Sequence, residues 1–341
     1  MNIKTSALKK LVSKPGFSGF TILVVMLVIT AVLQDGFFTM PAIINNMNAF
    51  IPLILITMGQ GIVMISGGID LSVGSALSLL TCVLASIMKK GDPMSGLVAI
   101  LAAIGVAIVI GIINGIGMGY LRLPPVVVTF ATSYIFLGAA LLILPLPGGS
   151  CVEWVKGFYN FGNIKDAPAW LAGFGKVVSP SMLLLILGFI ALAVIGRTRF
   201  SRYSYAMGSN EASAYASGIN TARTMTKACI INSFFILLAA LFFVAQNLSG
   251  DARLGDPFVL KSIAAAVVGG IALTGGKGSL YSAVVGAFIL SFVNKIIFFL
   301  HLPNTMQTLV GGMIVILAIA ASQLYSFLND RTMLKEDRKN G

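Results

Sequence analysis

The sequence predicts an all-α membrane protein, a polytopic bundle of about ten transmembrane helices. Hydrophobic residues make up 57% of the 341 positions and charged residues only 10%, and the mean hydropathy is +0.96. A soluble domain averages about 25% charged residues, so this composition is typical of a chain whose surface faces lipid. The apolar runs are long and continuous rather than alternating, which favours helices over a closed barrel.

Ten apolar runs are counted as spans. They cover residues 17–33, 49–65, 71–88, 97–120, 126–144, 182–195, 228–246, 263–273, 280–300 and 306–325. The eighth run is too short to cross a bilayer at about 1.5 Å per residue. It is expected either to pack inside the bundle or to begin earlier, near Pro257. A basic N-terminal arm at 1–16 and a basic tail at 328–341 flank a membrane domain at 17–327.

The basic residues predict the orientation of the chain. Ten spans put both termini on one side, and with that side cytoplasmic, fifteen Lys and Arg residues lie in inner segments and seven in outer ones. Cytoplasmic segments carry an excess of Lys and Arg, so both termini are expected in the cytoplasm. The net charge of +12 does not indicate nucleic-acid binding, because the basic residues flank apolar runs and form no patch interleaved with aromatics.

The second and third apolar runs meet at a break, Ser66-Gly67-Gly68-Ile69-Asp70. A carboxylate between two membrane-length segments is costly unless it is paired, capped or wetted. Asp70 and Ser72 can accept from free N–H groups, so they are expected to cap the next helix. The same break could line a path through the membrane, as broken helices do in transporters. The candidate residues for the break or path are Gln60, Ser66, Gly67, Gly68, Asp70, Ser72 and Thr129.

Three blocks carry a resemblance to a known family. Gly59-Gln60 with the string at 65–75 resembles the permease subunits of ribose-type ABC sugar importers, a group that includes xylose, arabinose, galactose and autoinducer-2 systems. Blocks at 205–220 and 263–278 follow in the family's order. The resemblance implies an inner-membrane permease that is not itself an enzyme. It also implies a second permease subunit, an ABC ATPase subunit, a periplasmic or lipid-anchored solute-binding protein, and a monosaccharide or similar small polar solute as cargo.

The block at 205–220 lies in a long basic loop at 196–228. Its alanines and Glu211 favour a short helix that Asn210 could cap and Gly218 could end. Read from the residues alone, this is either a solvated surface helix or a docking element. The resemblance implies that it is the coupling helix, which docks into a groove on the ATPase subunit. The positions that match that pattern are Gly208, Asn210, Glu211, Ala212, Gly218 and Ile219.

No cofactor or metal is expected on this chain. The glycines around Lys277 fail the spacing of a nucleotide-binding loop, because Ile271 stands where the first glycine is needed and Gly278 stands where Ser or Thr is needed. ATP and Mg²⁺ are therefore expected on the partner ATPase. The three cysteines have no metal-ligand spacing and are predicted to be small apolar residues. Lys295, inside the ninth span, is expected to snorkel towards the headgroups.

Two other functions stay open at this point. One is an ABC permease of the same broad superfamily that carries nucleosides or branched-chain amino acids. The other is a stand-alone proton-coupled carrier, for which Asp70 is the only strong carboxylate candidate. Relatives typically show an aspartate shortly before Ile263, where this chain has Lys261-Ser262, so the identity of the cargo and the symmetry of the permease dimer stay open. A weak echo between residues 66–72 and 274–279 is consistent with internal duplication.

Overall fold

A computed structural model describes residues 17–159 and 179–301, with a few further positions between 303 and 316. All regular structure in these residues is helical, and a π-helical turn at Ile116–Tyr120 continues the fourth helix. The α-helices are α1 (Phe17–Leu33), α2 (Met40–Ile65), α3 (Val73–Ile87), α4 (Pro93–Gly115), α5 (Pro125–Ile143), α6 (Glu153–Tyr159), α7 (Pro180–Arg197), α8 (Arg199–Ser209), α9 (Glu211–Ala216), α10 (Thr221–Asn247), α11 (Phe258–Val268) and α12 (Ser282–Phe299). The predicted basic arm, most of the tenth span and the basic tail lie outside the described residues.

The all-helical prediction is confirmed for the described residues, but the count of about ten spans is not. Six helices are long and apolar enough to cross a membrane, namely α2, α4 with its π-turn, α5, α7, α10 and α12. Three further apolar helices, α1, α3 and α11, coincide with predicted spans but are shorter. Two of these short helices, α3 and α11, follow non-helical segments at residues 66–72 and 248–257.

Two helix starts differ from the prediction. α10 begins at Thr221, seven residues before the predicted seventh span, and Asn220 caps it by accepting a hydrogen bond from the N–H of Arg223 at 2.9 Å. Its first two turns carry Arg223 and Lys227, so the hydropathy of the sequence does not mark them as part of a span. α2 begins at Met40, nine residues before the predicted second span. The loop predicted at 196–228 is therefore mostly helical, with α8, α9 and the start of α10.

The centre of the bundle is α2. It is buried on every face from Phe50 to Ile65, and α7, α8, α10, α11 and α12 pack around it. By contrast, α4, α5 and α7 expose rows of Leu, Ile, Val and Phe on their outer faces. Apart from Arg197 at the end of α7, those faces carry no charged residue, so they are the surface that lipid can cover.

The packing of α4 against α10 depends on glycines one turn apart. A Cβ atom at Gly111 would lie 2.5 Å from the Cα of Ile230, and one at Gly115 would lie 2.6 Å from the Cα of Thr226. Gly119 is equally crowded by the backbone of α10. Small residues let two helices approach to backbone contact within a bilayer, and this contact fixes α10 beside α4.

The segment between α10 and α11 runs down into the bundle along α3. A Cβ atom at Gly250 would lie 2.6 Å from the carbonyl oxygen of Thr81, and one at Gly74 would lie 2.6 Å from the carbonyl oxygen of Gly255. The N–H of Gly255 also donates to Ser78 Oγ at 2.9 Å. The segment at 248–257 therefore follows α3 from Thr81, near its middle, back to its first turn.

This arrangement explains the short eighth span. α11 begins at Phe258, directly after Pro257, as one of the two sequence interpretations predicted. The short helix α11 follows the non-helical segment at 248–257, as α3 follows the break at 66–72. The first turns of α3 and the start of α11 lie beside each other.

Candidate functional site

Asp70 lies in the break between α2 and α3, is 2% exposed, and accepts three hydrogen bonds. The N–H and the hydroxyl of Ser72 donate to Oδ1 at 2.8 and 2.6 Å, and Nδ2 of Asn232 donates to Oδ2 at 2.8 Å. A buried carboxylate is tolerated only when it is well hydrogen-bonded. The capping prediction is confirmed for Asp70, which satisfies the free N–H just before α3. It is wrong for Ser72, whose side chain caps no helix N–H and donates to Asp70 instead.

The hydrogen bonds continue from Ser72 into two more helices. Asn114 of α4 donates to Ser72 Oγ at 2.8 Å, and Thr132 of α5 donates to Asn114 Oδ1 at 2.7 Å. Thr129 donates to the carbonyl oxygen of Ile69 at 3.1 Å. The break is thus tied to α4, α5 and α10 by buried polar side chains. We refer to Asp70, Ser72, Asn114, Thr132 and Asn232 as the polar chain.

Sequence reasoning missed Asn114, Thr132 and Asn232. The available signal was a single asparagine within each of two otherwise apolar runs, because an amide in a membrane segment needs a partner. Nothing in the sequence showed which polar groups those asparagines would meet. Asn232 and Asp70 are separated by 162 positions, and only the packing of α10 against α2 and α3 brings them together.

The other candidates for the break or path, apart from Gly67, are buried within the single chain. Gln60 is 0% exposed, and neither its side-chain oxygen nor its nitrogen has a hydrogen-bond partner among the described residues. Ser66 Oγ donates to the carbonyl oxygen of Ile62 at 2.9 Å, and Gly68 is buried while Gly67 is exposed. These positions lie in the last two turns of α2 and in the break that follows. Their contact with a cargo stays a prediction.

The three sequence blocks meet at the end of the bundle that carries α8 and α9. The N–H of Gly276 donates to the carbonyl oxygen of Ile65 at 2.9 Å. A Cβ atom at Gly208 would overlap that same oxygen and lie 2.5 Å from the nitrogen of Gly276. A Cβ atom at Gly275 would lie 2.7 Å from the Cα of Gly67. We call Gly67, Gly208, Gly275 and Gly276 the glycine junction. It joins the end of α2, the end of α8 and the loop before α12 by backbone contact.

The predicted coupling helix is present as α9. Asn210 Oδ1 accepts from the N–H of Ser213 at 2.9 Å and caps its start. At the other end, the N–H of Gly218 donates to the carbonyl oxygen of Tyr215 at 2.9 Å, and the N–H of Ile219 donates to the carbonyl oxygen of Ala214 at 3.1 Å. Gly218 has a φ of +83°. This is a Schellman ending, in which glycine adopts a left-handed backbone. Both capping predictions are confirmed.

The surface of α9 is largely open. Glu211 and Ala212 are exposed, Tyr215 is 63% exposed, and Glu211 forms no ion pair within the described residues. Ala214 anchors the helix in a small buried cluster made by Met118, Val128, Met207, Met225 and Cys229. Of the residues predicted for coupling, Gly208 lies apart from α9, in the glycine junction. The docking of α9 onto an ATPase stays a prediction.

Among the described residues, no group of three His, Cys, Asp or Glu side chains could hold a metal ion. Cys82, Cys151 and Cys229 are free and buried, as expected of small apolar residues. Lys295 is partly buried on α12, and its ammonium group lies 5.4 Å from the ring centre of Phe299.

The chain matches a protein family described as "Branched-chain amino acid transport system / permease component" over residues 42–319. It is 31% identical over 302 residues to the ribose import permease protein RbsC of Escherichia coli, covering 87% of this chain and 90% of that protein. It is also 31% identical over 265 residues to the autoinducer 2 import system permease protein LsrC of Yersinia pestis, covering 77% of this chain and 72% of that protein. No solved structure matches the chain.

These matches confirm the resemblance carried by the three sequence blocks and agree with the apolar, all-helical fold. Proteins of this kind are the membrane subunits of importers whose ATP hydrolysis takes place in a separate ATPase subunit. The chain therefore belongs to the permease family of bacterial ABC importers, as a multi-pass inner-membrane subunit of the ribose-permease type and not an enzyme.

Proposed function

We propose that this chain, paired with a second permease subunit, forms the path by which a monosaccharide or similar small polar solute crosses the membrane. The observation that carries the proposal is the similarity to a ribose import permease over 87% of the chain. That similarity spans the break, α9 and the segment before α12, which are the parts that meet at the glycine junction.

The ATPase subunit docks on α9 in this proposal. Three features of α9 support the assignment: its short length, fixed by caps at both ends; its open surface around Glu211 and Tyr215; and its anchoring through Ala214. A short helix with a small apolar face suits a groove on a partner. ATP and Mg²⁺ bind to that partner, and this chain carries no cofactor.

The cytoplasm lies on the α8–α9 side, and the solute-binding protein docks on the opposite face, where residues 89–92 form a turn. The excess of basic residues in the segments assigned to the inside supports this orientation. The two termini are cytoplasmic in the same arrangement. The permease pair is either two copies of this chain or this chain with a related one.

The test is uptake by proteoliposomes that contain this permease with the ATPase and the solute-binding protein of its own importer. We expect uptake of labelled D-ribose that requires ATP, and none with an ATPase variant that cannot hydrolyse ATP. Labelled L-leucine and labelled adenosine are tested in the same way. ATP-dependent uptake of either of them, with no uptake of D-ribose, would replace the sugar with the corresponding alternative cargo. Uptake driven by a pH gradient without the ATPase would establish the carrier function instead.

A further inference from the structure

Among the apolar parts of the chain, the non-helical segment before α11 and the first turn of α11 are unusually rich in charged residues. The spans α1, α4, α5 and α7 contain no charged residue between their first and penultimate positions. The segment from 248 to 261 carries four within fourteen positions, namely Asp251, Arg253, Asp256 and Lys261. We call residues 251–261 the charged segment. Its composition differs from that of the apolar outer faces of α4, α5 and α7.

The charged segment lies deep in the bundle rather than at its surface. Gly255 packs against Gly74 in the first turn of α3, and the far end of α3 is Ile87. At 1.5 Å per residue, about 20 Å of helix separates that end from the level of Gly255 and Asp256. Asn232, near the middle of α10, lies at a similar level because it binds Asp70 just before α3. Since the hydrocarbon core is about 30 Å thick, Asp256 lies well within it.

Two charges of this segment point out of the single chain. Arg253 and Asp256 are both exposed, and neither forms an ion pair within the described residues. The neighbouring Pro257 is exposed, and Leu260 is 62% exposed. A charged side chain facing lipid at this depth is strongly unfavourable. Non-helical backbone at membrane depth is tolerated only where protein covers it or where it lines a water-filled cavity.

We propose that the charged segment lines the translocation path and that Arg253 and Asp256 hydrogen-bond the hydroxyl groups of the cargo. A carboxylate accepts from several hydroxyls, and a guanidinium donates through five N–H groups. Together the two side chains carry no net charge, so they suit an uncharged polyhydroxy solute better than an anion or a cation. The identity of the cargo rests on the proposed function. The position of the path rests only on depth, exposure and charge.

The position is tested by thiol labelling. In a variant with the three native cysteines replaced by alanine, Arg253→Cys and Asp256→Cys are treated with a sulfonated, membrane-impermeant methanethiosulfonate. The matched control is Val109→Cys on α4, which is 53% exposed on a face without charges. Only a water-exposed thiol ionises and reacts, so both segment variants should label about tenfold faster than the control. Labelling as slow as at Val109 would overturn the proposal.

The contact with cargo is tested by Asp256→Asn and Arg253→Gln in the reconstituted importer. Loss of one charge-assisted hydrogen bond to the solute should raise the KM for D-ribose about tenfold, with the binding of the ATPase subunit unchanged. The control is Asp35→Asn, because Asp35 is exposed in the turn after α1, outside the charged segment, and asparagine removes the same charge at almost the same size. Fast labelling with an unchanged KM would overturn the cargo contact. A wild-type importer that takes up no D-ribose would overturn the proposed cargo and leave the labelling result standing.

Discussion

Asn232 of α10 donates a hydrogen bond to Asp70 at 2.8 Å, and the free oxygen of the same amide, Oδ1, has no partner among the described residues. A Cβ atom at Gly59 would overlap that oxygen, so the amide is held tightly against α2. This pair joins the break to a helix that comes 162 positions later. It also makes the effect of replacing Asp70 predictable.

Asp70→Asn should cost about 1 kcal/mol and Asp70→Ala about 3 kcal/mol of stability. Asparagine keeps an oxygen towards Ser72, and Asn232 can turn its unused oxygen towards the new amide. Alanine leaves the donors of Ser72 and Asn232 buried without an acceptor. Thermal unfolding of the detergent-solubilised variants should rank wild type above Asn and Asn above Ala.

The same two variants distinguish a capping residue from a proton carrier. With a capping role, Asp70→Asn retains most of the uptake at every pH. Uptake that is as low for Asn as for Ala in well-expressed variants, and that no longer varies with pH, would return the proton-coupled carrier to consideration.

Gly208→Ala should abolish transport, because its methyl group would overlap the carbonyl oxygen of Ile65 in the glycine junction. Both neighbouring groups are backbone, so neither can rotate away, and overpacking of this kind costs about 1–3 kcal/mol. Uptake by proteoliposomes and the amount of folded protein in the membrane are the two measurements.

The matched control for Gly208 is Gly196→Ala, at the same end of the bundle. Gly196 lies in α7, is exposed, and a Cβ atom there meets nothing within 4 Å. Alanine in that helix should be neutral or stabilising by up to about 1 kcal/mol. Equal uptake by the two variants would contradict the prediction, because it would show that transport does not require the close backbone contact at Gly208.

Glu211→Lys should weaken the binding of the ATPase subunit without preventing membrane insertion, because the charge reverses on the exposed surface of α9. Glu153→Lys is the control, since Glu153 is also exposed but lies on α6, outside the α8–α9 end. Co-purification of the ATPase should fall for Glu211→Lys only. Wild-type recovery together with normal uptake would argue against α9 as the docking element.

The orientation predicts opposite labelling of two exposed positions. In the cysteine-free variant, Lys90→Cys should react with an impermeant thiol reagent added outside intact cells. Ser213→Cys should react only after the membrane is opened. Reversed labelling would place α9 outside and remove the coupling assignment.

Apolar runs predicted most helices within a few residues, because an uninterrupted apolar stretch of this length is satisfied in lipid only as a helix. The errors lie where a helix continues past the apolar run. The first turns of α10 carry Arg223 and Lys227, and the first turns of α2 carry three asparagines, so hydropathy placed the starts of both predicted helices too late.

The site was only partly predictable from the sequence. Asp70 stood out because a carboxylate between apolar runs is rare, and Asn210 and Gly218 stood out because caps are local signals. The descent of residues 248–257 along α3 could not be predicted. Its evidence is the contact between Gly74 and Gly255, which depends on the packing of segments far apart in the chain.

The enclosure of α2 has a consequence for how the chain is made. α2 has the lowest mean hydropathy of the six span-length helices, and it is buried on every face from Phe50 to Ile65. One of its covering helices, α10, begins 156 positions after Ile65, which corresponds to about 8–30 s of synthesis. Throughout that interval α2, whose Gln60 amide has no hydrogen-bond partner among the described residues, lacks one of the helices that enclose it. A fragment that ends before Thr221 therefore contains α2 as its least hydropathic span-length helix, without the helix that would cover it.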